Sequence, residues 1–419
     1  MKNLETYLLL ILTTILYGHH FWSDKFLIPF LNWGPNNQLR GLQESLILAI
    51  KLNRTLCVPF FFKHFTDLSL SDGEEHLVIP RFRIDVRKIH ELITTCDVHE
   101  IAGNCGGKVD SLLIGRDICS GDIWRTTEET RKRLGLEAFM EEESCRGVKG
   151  LPTYPEEKKI VRTLSSDKKW LEEYYPGDER CAVIAYPYTL FPNFHGQIER
   201  FLRNRKGAQG EISDFDAEIF SDVINYVARP QFMRALVDDF VKEKLFEGRF
   251  IALHYRFDDV DYLSRCSTED PYKICDDLMK MKGNMTESAE IFVNYLEKLR
   301  SEDVPIKAVY LASPPQEVQI NFSIKDALRR RFPNQQVVFL DSKDIEPFYN
   351  RLANVPTGLK GDVMSSIEQE VCLRARVFLR ARPSSWSSNV HIQRVADPET
   401  RKFVKDDRLL LDVLTGKST

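Results

Sequence analysis

From Phe250 onward, short apolar runs and amphipathic stretches follow one another in turn, and this alternation narrows the fold more than any other feature of the chain. Phe250-Ile251-Ala252-Leu253-His254-Tyr255-Arg256 reads as a strand. A helix around Ile291 to Leu299 follows, then a strand at Val309 to Ala312, a helix near Ile324 to Arg331 and a strand at Val337 to Leu340. A helix from Asp362 to Arg374, a strand at Val377 to Leu379 and a last helix after Pro383 complete the pattern. Strands separated by helix-length segments do not pair as hairpins. They build a parallel α/β sheet with right-handed crossovers. Upstream, Pro230 followed by Phe232, Leu236 and Phe240 reads as a helix with proline in its first turn.

The first half opens in the same way. An apolar run, Phe26 to Leu31, leads into Gly34-Pro35-Asn36-Asn37-Gln38-Leu39-Arg40, and Leu42, Leu46, Ala49 and Ile50 then recur at helical spacing before Asn53-Arg54-Thr55-Leu56-Cys57-Val58-Pro59. The unit reads strand, tight polar turn, helix, strand, with the turn at a helix N-terminus, where backbone N–H groups and an Asn side chain can meet an anion. Strand-Gly-helix openings that bind nothing are also common. From Asp97 to Pro192 the pattern is irregular, rich in Gly, Pro and charge, and reads as insertions on a first domain. A chain of 419 residues exceeds one hydrophobic core. Two domains are expected, residues 23–246 and 247–419, after a leader of residues 1–22.

Charge excludes one class of partner. With 58 Lys plus Arg against 62 Asp plus Glu and no long basic stripe, nucleic acid is not the expected ligand, and Arg329-Arg330-Arg331 reads as a solvated helix face. Tyr7 to Tyr17 is apolar, too short to cross a bilayer comfortably and of the size of a signal-peptide core. An uncleaved signal anchor, the one expected membrane attachment, and a buried first strand are the other readings. Nine cysteines and three sequons, at Asn53, Asn284 and Asn321, agree with the lumen of the endoplasmic reticulum or Golgi. Cys96, Cys105, Cys119, Cys145 and Cys181 fall where disulfides would tie down long connections, and Cys266 and Cys275 form a close pair. No CxxC pair occurs, so no zinc is expected. Cys57 and Cys372 lie inside apolar patterns and are expected to be free, buried thiols.

In parallel sheets ligands lie beyond the carboxyl ends of the strands. Three clusters qualify: Asn36 with Asn37, His254 to Asp259, and Ser384 to Ser388. Strand alternation sends His254 and Arg256 to one face and Tyr255 to the other. Arg256 can fork onto a phosphate while His254 or an Asp holds hydroxyls; an internal Arg–Asp bridge is the alternative. Asp259-Val260-Asp261 and Asp214-Phe215-Asp216 both match a short DxD metal pattern that arises often by chance. Ser384-Ser385-Trp386-Ser387-Ser388 follows a strand and opens a helix, so hydroxyls and helix N–H groups converge as an anion site, or serve only as a cap. On the preceding helix, Glu368 and Glu370 either reach the same mouth or are solvated.

These residues together resemble the GDP-fucose-dependent O-fucosyltransferase family. Gly34-x-x-Asn37-Gln38, Leu52-Asn53-Arg54-Thr55-Leu56-x-Val58-Pro59, His254-x-Arg256-x-x-Asp259, Glu368-x-x-Val371-Cys372 and Ser384-Ser385-Trp386-Ser387 occur in order over residues 27 to 394. The resemblance implies a GT-B architecture, two Rossmann-like domains facing across a cleft. It implies inverting, metal-independent transfer of fucose from GDP-fucose to a hydroxyl, commonly Ser or Thr of a small disulfide-rich module. It also implies that Arg256 and Asn37 are catalytic and that Gly34, Asn36, His254, Asp259, Ser385, Trp386 and Ser387 bind the donor, without cofactor or metal. Two departures stand out: Trp33 and Pro35 flank Gly34, so no carboxylate base is supplied there, and Arg380-Ala381-Arg382-Pro383 replaces the Gly-Ser usual before the serine cluster. An active transferase and a non-catalytic binding module of the same fold both remain open.

Overall fold

The structure, a computed structural model, describes residues 24–31, 34–63, 77–106, 110–114, 159–160, 179–185, 187, 214–257, 266, 274–302, 304–314, 316–381 and 384–417. The leader segment, Asp259, Asp261, Cys119 and Cys145 lie outside them. The chain forms two units. The described residues through Ala228 belong to the first and those from Arg229 onward to the second.

In the first unit, β1 (Phe26–Phe30), α1 (Pro35–Lys51) and β2 (Thr55–Cys57) make the opening strand-helix-strand. The polar stretch after Gly34 is not a separate turn. Pro35 starts the helix, where its fixed φ fits and its missing N–H is no loss, so Asn36 and Asn37 lie in the first helical turn. Asn53 follows the helix with φ 49°, a left-handed conformation that Asn tolerates better than most residues. The small antiparallel pair β3 (Phe61–Phe62) and β4 (Leu77–Val78) comes next, then α2 (Val86–Leu92), β5 (Thr95–Cys96), α3 (Ile101–Asn104), β6 (Ser111–Ile114), β7 (Lys159–Ile160), β8 (Cys181–Ala185) and α4 (Asp214–Tyr226).

The large sheet of this unit has the order β5-β2-β1-β8-β6-β7, with every pair parallel. The region read as insertions thus supplies β6, β7 and β8, half of the sheet. These strands are two to five residues long and sit among Gly, Pro and charged residues, too little for a periodic signal. Strand order reverses between β1 and β8.

The second unit begins with α5 (Gln231–Lys244), whose Phe240 ring meets Tyr310 edge-on at 6.1 Å. That packing ties the helix to the second sheet, so the junction falls at 228/229 and not after residue 246. β9 (Phe250–His254), α6 (Cys275–Gly283), α7 (Met285–Ser301), β10 (Ala308–Ala312), α8 (Val318–Arg331), β11 (Val338–Asp341), α9 (Ser342–Tyr349), α10 (Lys360–Leu373), β12 (Val377–Arg380) and α11 (Ser385–Ala396) follow. The chain does not stop at α11: α12 (Pro398–Arg401), β13 (Arg408–Leu409) and α13 (Leu410–Leu414) close it.

The sheet order is β11-β10-β9-β12-β13, again all parallel. β9 and β10 are buried at every residue, as strands covered by helices on both faces must be. Ile251, Leu253, Val309, Leu311, Val377 and Leu379 share one core cluster with residues of α6, α7, α8 and α13. Tyr255 and Phe257 join that cluster, so His254 points to the opposite face, as alternation requires. Pairing ends at Ala312↔His254, which stops β9 two residues before Arg256. On the surface, Arg330 bridges Asp326 and Glu290, and Arg331 meets Glu297, so this basic run is an exposed helix face tied to α7.

Three disulfides join described residues: Cys57–Cys96, Cys105–Cys181 and Cys266–Cys275. Cys57 is therefore not a free thiol. The parallel register of β2 and β5 sets it opposite Cys96, with Cα atoms 4.4 Å apart. An apolar strand pattern says a cysteine is buried; it does not say what lies on the next strand. Cys372 is free and buried.

Candidate functional site

In the second unit the chain runs from β9 outward to β10 and β11, then returns to the other side of β9 as β12. The reversal between β9 and β12 opens a crevice at their carboxyl ends, where open α/β sheets bind ligands. His254 ends β9, and the serine cluster opens α11 just after β12. The fold therefore brings together two of the three sequence clusters. Ser384 caps α11, its hydroxyl accepting from Ser387 N–H at 3.4 Å.

His254 is 5 % exposed and is held on two sides. Its ring stacks on the Trp386 indole with centroids 3.9 Å apart and planes 18° from parallel. Its Nδ1 lies 2.6 Å from Ser387 Oγ, which also accepts the Ala381 N–H at 3.0 Å. Burial, with the Arg256 charge beside it, pushes the imidazole down to about 3, so it is neutral at any ordinary pH. Arg256 itself is partly exposed, and Ser385 occupies the first position of α11.

Trp386 is anchored by α10. Its Nε1–H donates to Ser365 Oγ at 3.0 Å, and its carbonyl accepts from Gln369 Nε2 at 3.3 Å. Gln369 Oε1 in turn accepts from the buried Arg229. One helical turn supplies both anchors because residues four apart lie on one face.

Glu368 is a second feature of this helix: it is only partly exposed, and hydroxyls hold its carboxyl group. Its Oε1 accepts from Tyr310 Oη, in the middle of β10, at 3.1 Å and from Ser342 Oγ, just after β11, at 2.5 Å. Burial pushes this carboxyl up to about 7, against the opposing effect of the two hydrogen bonds. Glu370 instead pairs with Arg374 at 2.7 Å and is structural. Sequence alone did not separate the two glutamates. The signal was a hydroxyl on β10 and another just after β11, which only the sheet order brings to one point.

In the first unit, Gly34, Asn36 and Asn37 lie beyond the carboxyl end of β1, at the reversal with β8. Backbone donors are scarcer there than the sequence suggested: Pro35 has none, and the N–H groups of Asn37 and Gln38 both go to the Gly34 carbonyl, at 2.9 and 3.1 Å. The Asn37 side chain offers a polar handle, its Oδ1 buried and taking no hydrogen bond among the described residues. Gln38 locks the helix start by exchanging two hydrogen bonds with the Phe62 backbone, at 3.0 and 2.7 Å.

Glu368 and His254 pull stability in opposite directions with pH. His254, lowered from 6.5, costs stability as pH falls from 6.5 toward 3, because only the unfolded chain takes the proton. Glu368, raised from 4.5, costs stability as pH rises from 4.5 to 7, because the unfolded chain releases its proton first. Glu368→Gln keeps an acceptor for Tyr310 and Ser342 and removes only the second slope. In urea titrations its advantage over the parent should grow with pH, reaching at most about 3 kcal/mol above pH 7. A difference that does not change with pH would show that Glu368 is not raised.

No family model and no curated protein matches the sequence. Solved structures do. A crystal structure of POFUT1 in complex with GDP aligns with a TM-score of 0.55 and 13% identity, over 92% of this chain and 98% of that one. POFUT1 in complex with GDP-fucose gives the same values. A second crystal form with GDP-fucose gives 0.52, over 88% and 93%. This chain shares their GT-B fold. At such identity the likeness is one of fold.

Proposed function

We propose that this protein transfers fucose from GDP-fucose to a hydroxyl, on Ser or Thr of a glycoprotein in the secretory pathway, by an inverting reaction that needs no metal. The observation that carries the reading is the cluster of His254, Arg256, Trp386 and the α11 start at the β9/β12 reversal, on a fold shared along nearly its whole length with structures solved with GDP and GDP-fucose. Breaking the sugar-phosphate bond builds charge on the departing GDP. In the absence of a metal that charge falls to a guanidinium, an imidazole N–H and helix N-terminal donors, the groups gathered here. Arg256 stabilises the leaving phosphate, His254 and Asp259 hold the GDP moiety, and Ser385 contributes a hydroxyl. Three disulfides among the described residues fit an oxidising lumen.

The test begins with ligand-dependent melting of the purified lumenal chain. GDP and GDP-fucose at a hundred times Kd should stabilise it by about 2.7 kcal/mol, and UDP or UDP-sugars much less. Equal protection by uridine and guanosine nucleotides would overturn the donor assignment. Turnover of GDP-fucose in EDTA should be undiminished; loss restored by manganese would move the phosphate role to Asp259 and Asp261. Binding of GDP-fucose without turnover would identify a non-catalytic module.

A further inference from the structure

Counting protons around Ser387 fixes the state of the histidine beside it. A serine hydroxyl has one proton to give and two lone pairs. Ser387 is 1 % exposed, and its Oγ already accepts the Ala381 N–H. Were His254 protonated on Nδ1, the oxygen would accept twice and its own proton would be buried with no acceptor among the described residues, which is costly. With the hydroxyl donating to Nδ1, all three groups are satisfied at the observed 2.6 and 3.0 Å. Nδ1 is then the acceptor, and the single ring proton sits on Nε2.

Trp386 removes the remaining freedom. Its indole lies flat on the imidazole, and it is itself fixed through Ser365 and Gln369. A flip of the His254 ring would have to break the Ser387 bond while the stacked face holds the ring plane.

We propose that Ser387 and Trp386 are positioning residues that hold His254 as a neutral imidazole protonated on Nε2, so that the second unit offers its ligand one fixed N–H donor beside Arg256. This rests on the reading of the site as the seat of a GDP-sugar and deepens it. The ligand atom against His254 must be an acceptor, a phosphate oxygen or a sugar oxygen, and a donor group there is refused. Ser387 does not give its proton to phosphate; it spends it on the histidine.

The direct test is a long-range 15N–1H spectrum of the full lumenal chain labelled on histidine, with the His254 signals identified by their loss in His254→Gln. One species with Nδ1 bare and Nε2 protonated is expected. A proton on Nδ1, or shifts averaged as in free histidine, would overturn the assignment. Ser387→Thr keeps the hydroxyl and should keep both the tautomer and the GDP affinity. Ser387→Ala should average the tautomers and raise the Kd for GDP about tenfold, the worth of one good hydrogen bond. An Ala variant that averages its tautomers yet binds GDP like the parent would refute the positioning role. If the parent does not bind GDP at all, the donor assignment fails while the spectrum still decides the tautomer.

Discussion

Arg256→Lys should lose about a hundredfold in turnover of GDP-fucose, some 3 kcal/mol of transition-state stabilisation, while its melting temperature stays within a few degrees of the parent. Lysine keeps the charge and its effect on His254 but loses the planar fork that meets two phosphate oxygens at once. Arg256 lies past the last paired residue of β9 and is partly exposed, so little of the core depends on it. Steady-state rates together with melting curves separate the possibilities. A variant that melts early in proportion to its lost rate would mark Arg256 as a structural ion-pair partner, and full activity would remove it from the site.

Asp407→Ala should have the largest effect on stability, about 3–5 kcal/mol lost from the second unit. Arg394 of α11 is wholly buried and forks onto Asp407 at 2.9 and 3.0 Å, while its Nη1 donates to the carbonyls of Leu373 and Ala375. Asp407 also accepts the Phe378 N–H of β12 at 2.9 Å. Removing the carboxylate strands a guanidinium in the core, and α11 is the helix whose first turn carries Ser385, Trp386 and Ser387. The double variant Asp407→Ala with Arg394→Met should recover much of the loss, because the uncompensated charge goes with it. Urea unfolding of the two variants decides the matter. A single variant that costs under about 1 kcal/mol would reduce the pair to an incidental contact.

Four strands of the second sheet were legible because their cores are apolar and helices separate them, so each left a signal of its own; β13, two residues long with Arg408 as one of them, left none. Of the first sheet only β1 and β2 were legible: β5, β6, β7 and β8 are short, and they join it by pairing, β5 on β2, β8 on β1, β6 on β8 and β7 on β6, and not through their own composition. The site shows the same division. His254, Trp386 and Ser387 could be nominated from their positions after strands, since that rule depends on local order alone. What Ser387 bonds to, which of Glu368 and Glu370 meets two hydroxyls, and that Cys57 faces Cys96 all depend on which strand lies beside which. Such facts belong to the sheet order, which no single stretch of sequence contains.

Cys372 turns the helix behind the site into a reporter of its own opening. It is a free thiol, wholly buried, seven residues along α10 from Ser365 and three from Gln369, the two residues that anchor Trp386. Burial pushes its pKa well up, so both access and ionisation await exposure. Covalent capture by a thiol reagent under native conditions therefore counts the excursions in which α10 leaves the sheet. The rate of that capture is a clock for how often the platform beneath His254 comes apart, and it runs on a residue the chain already carries.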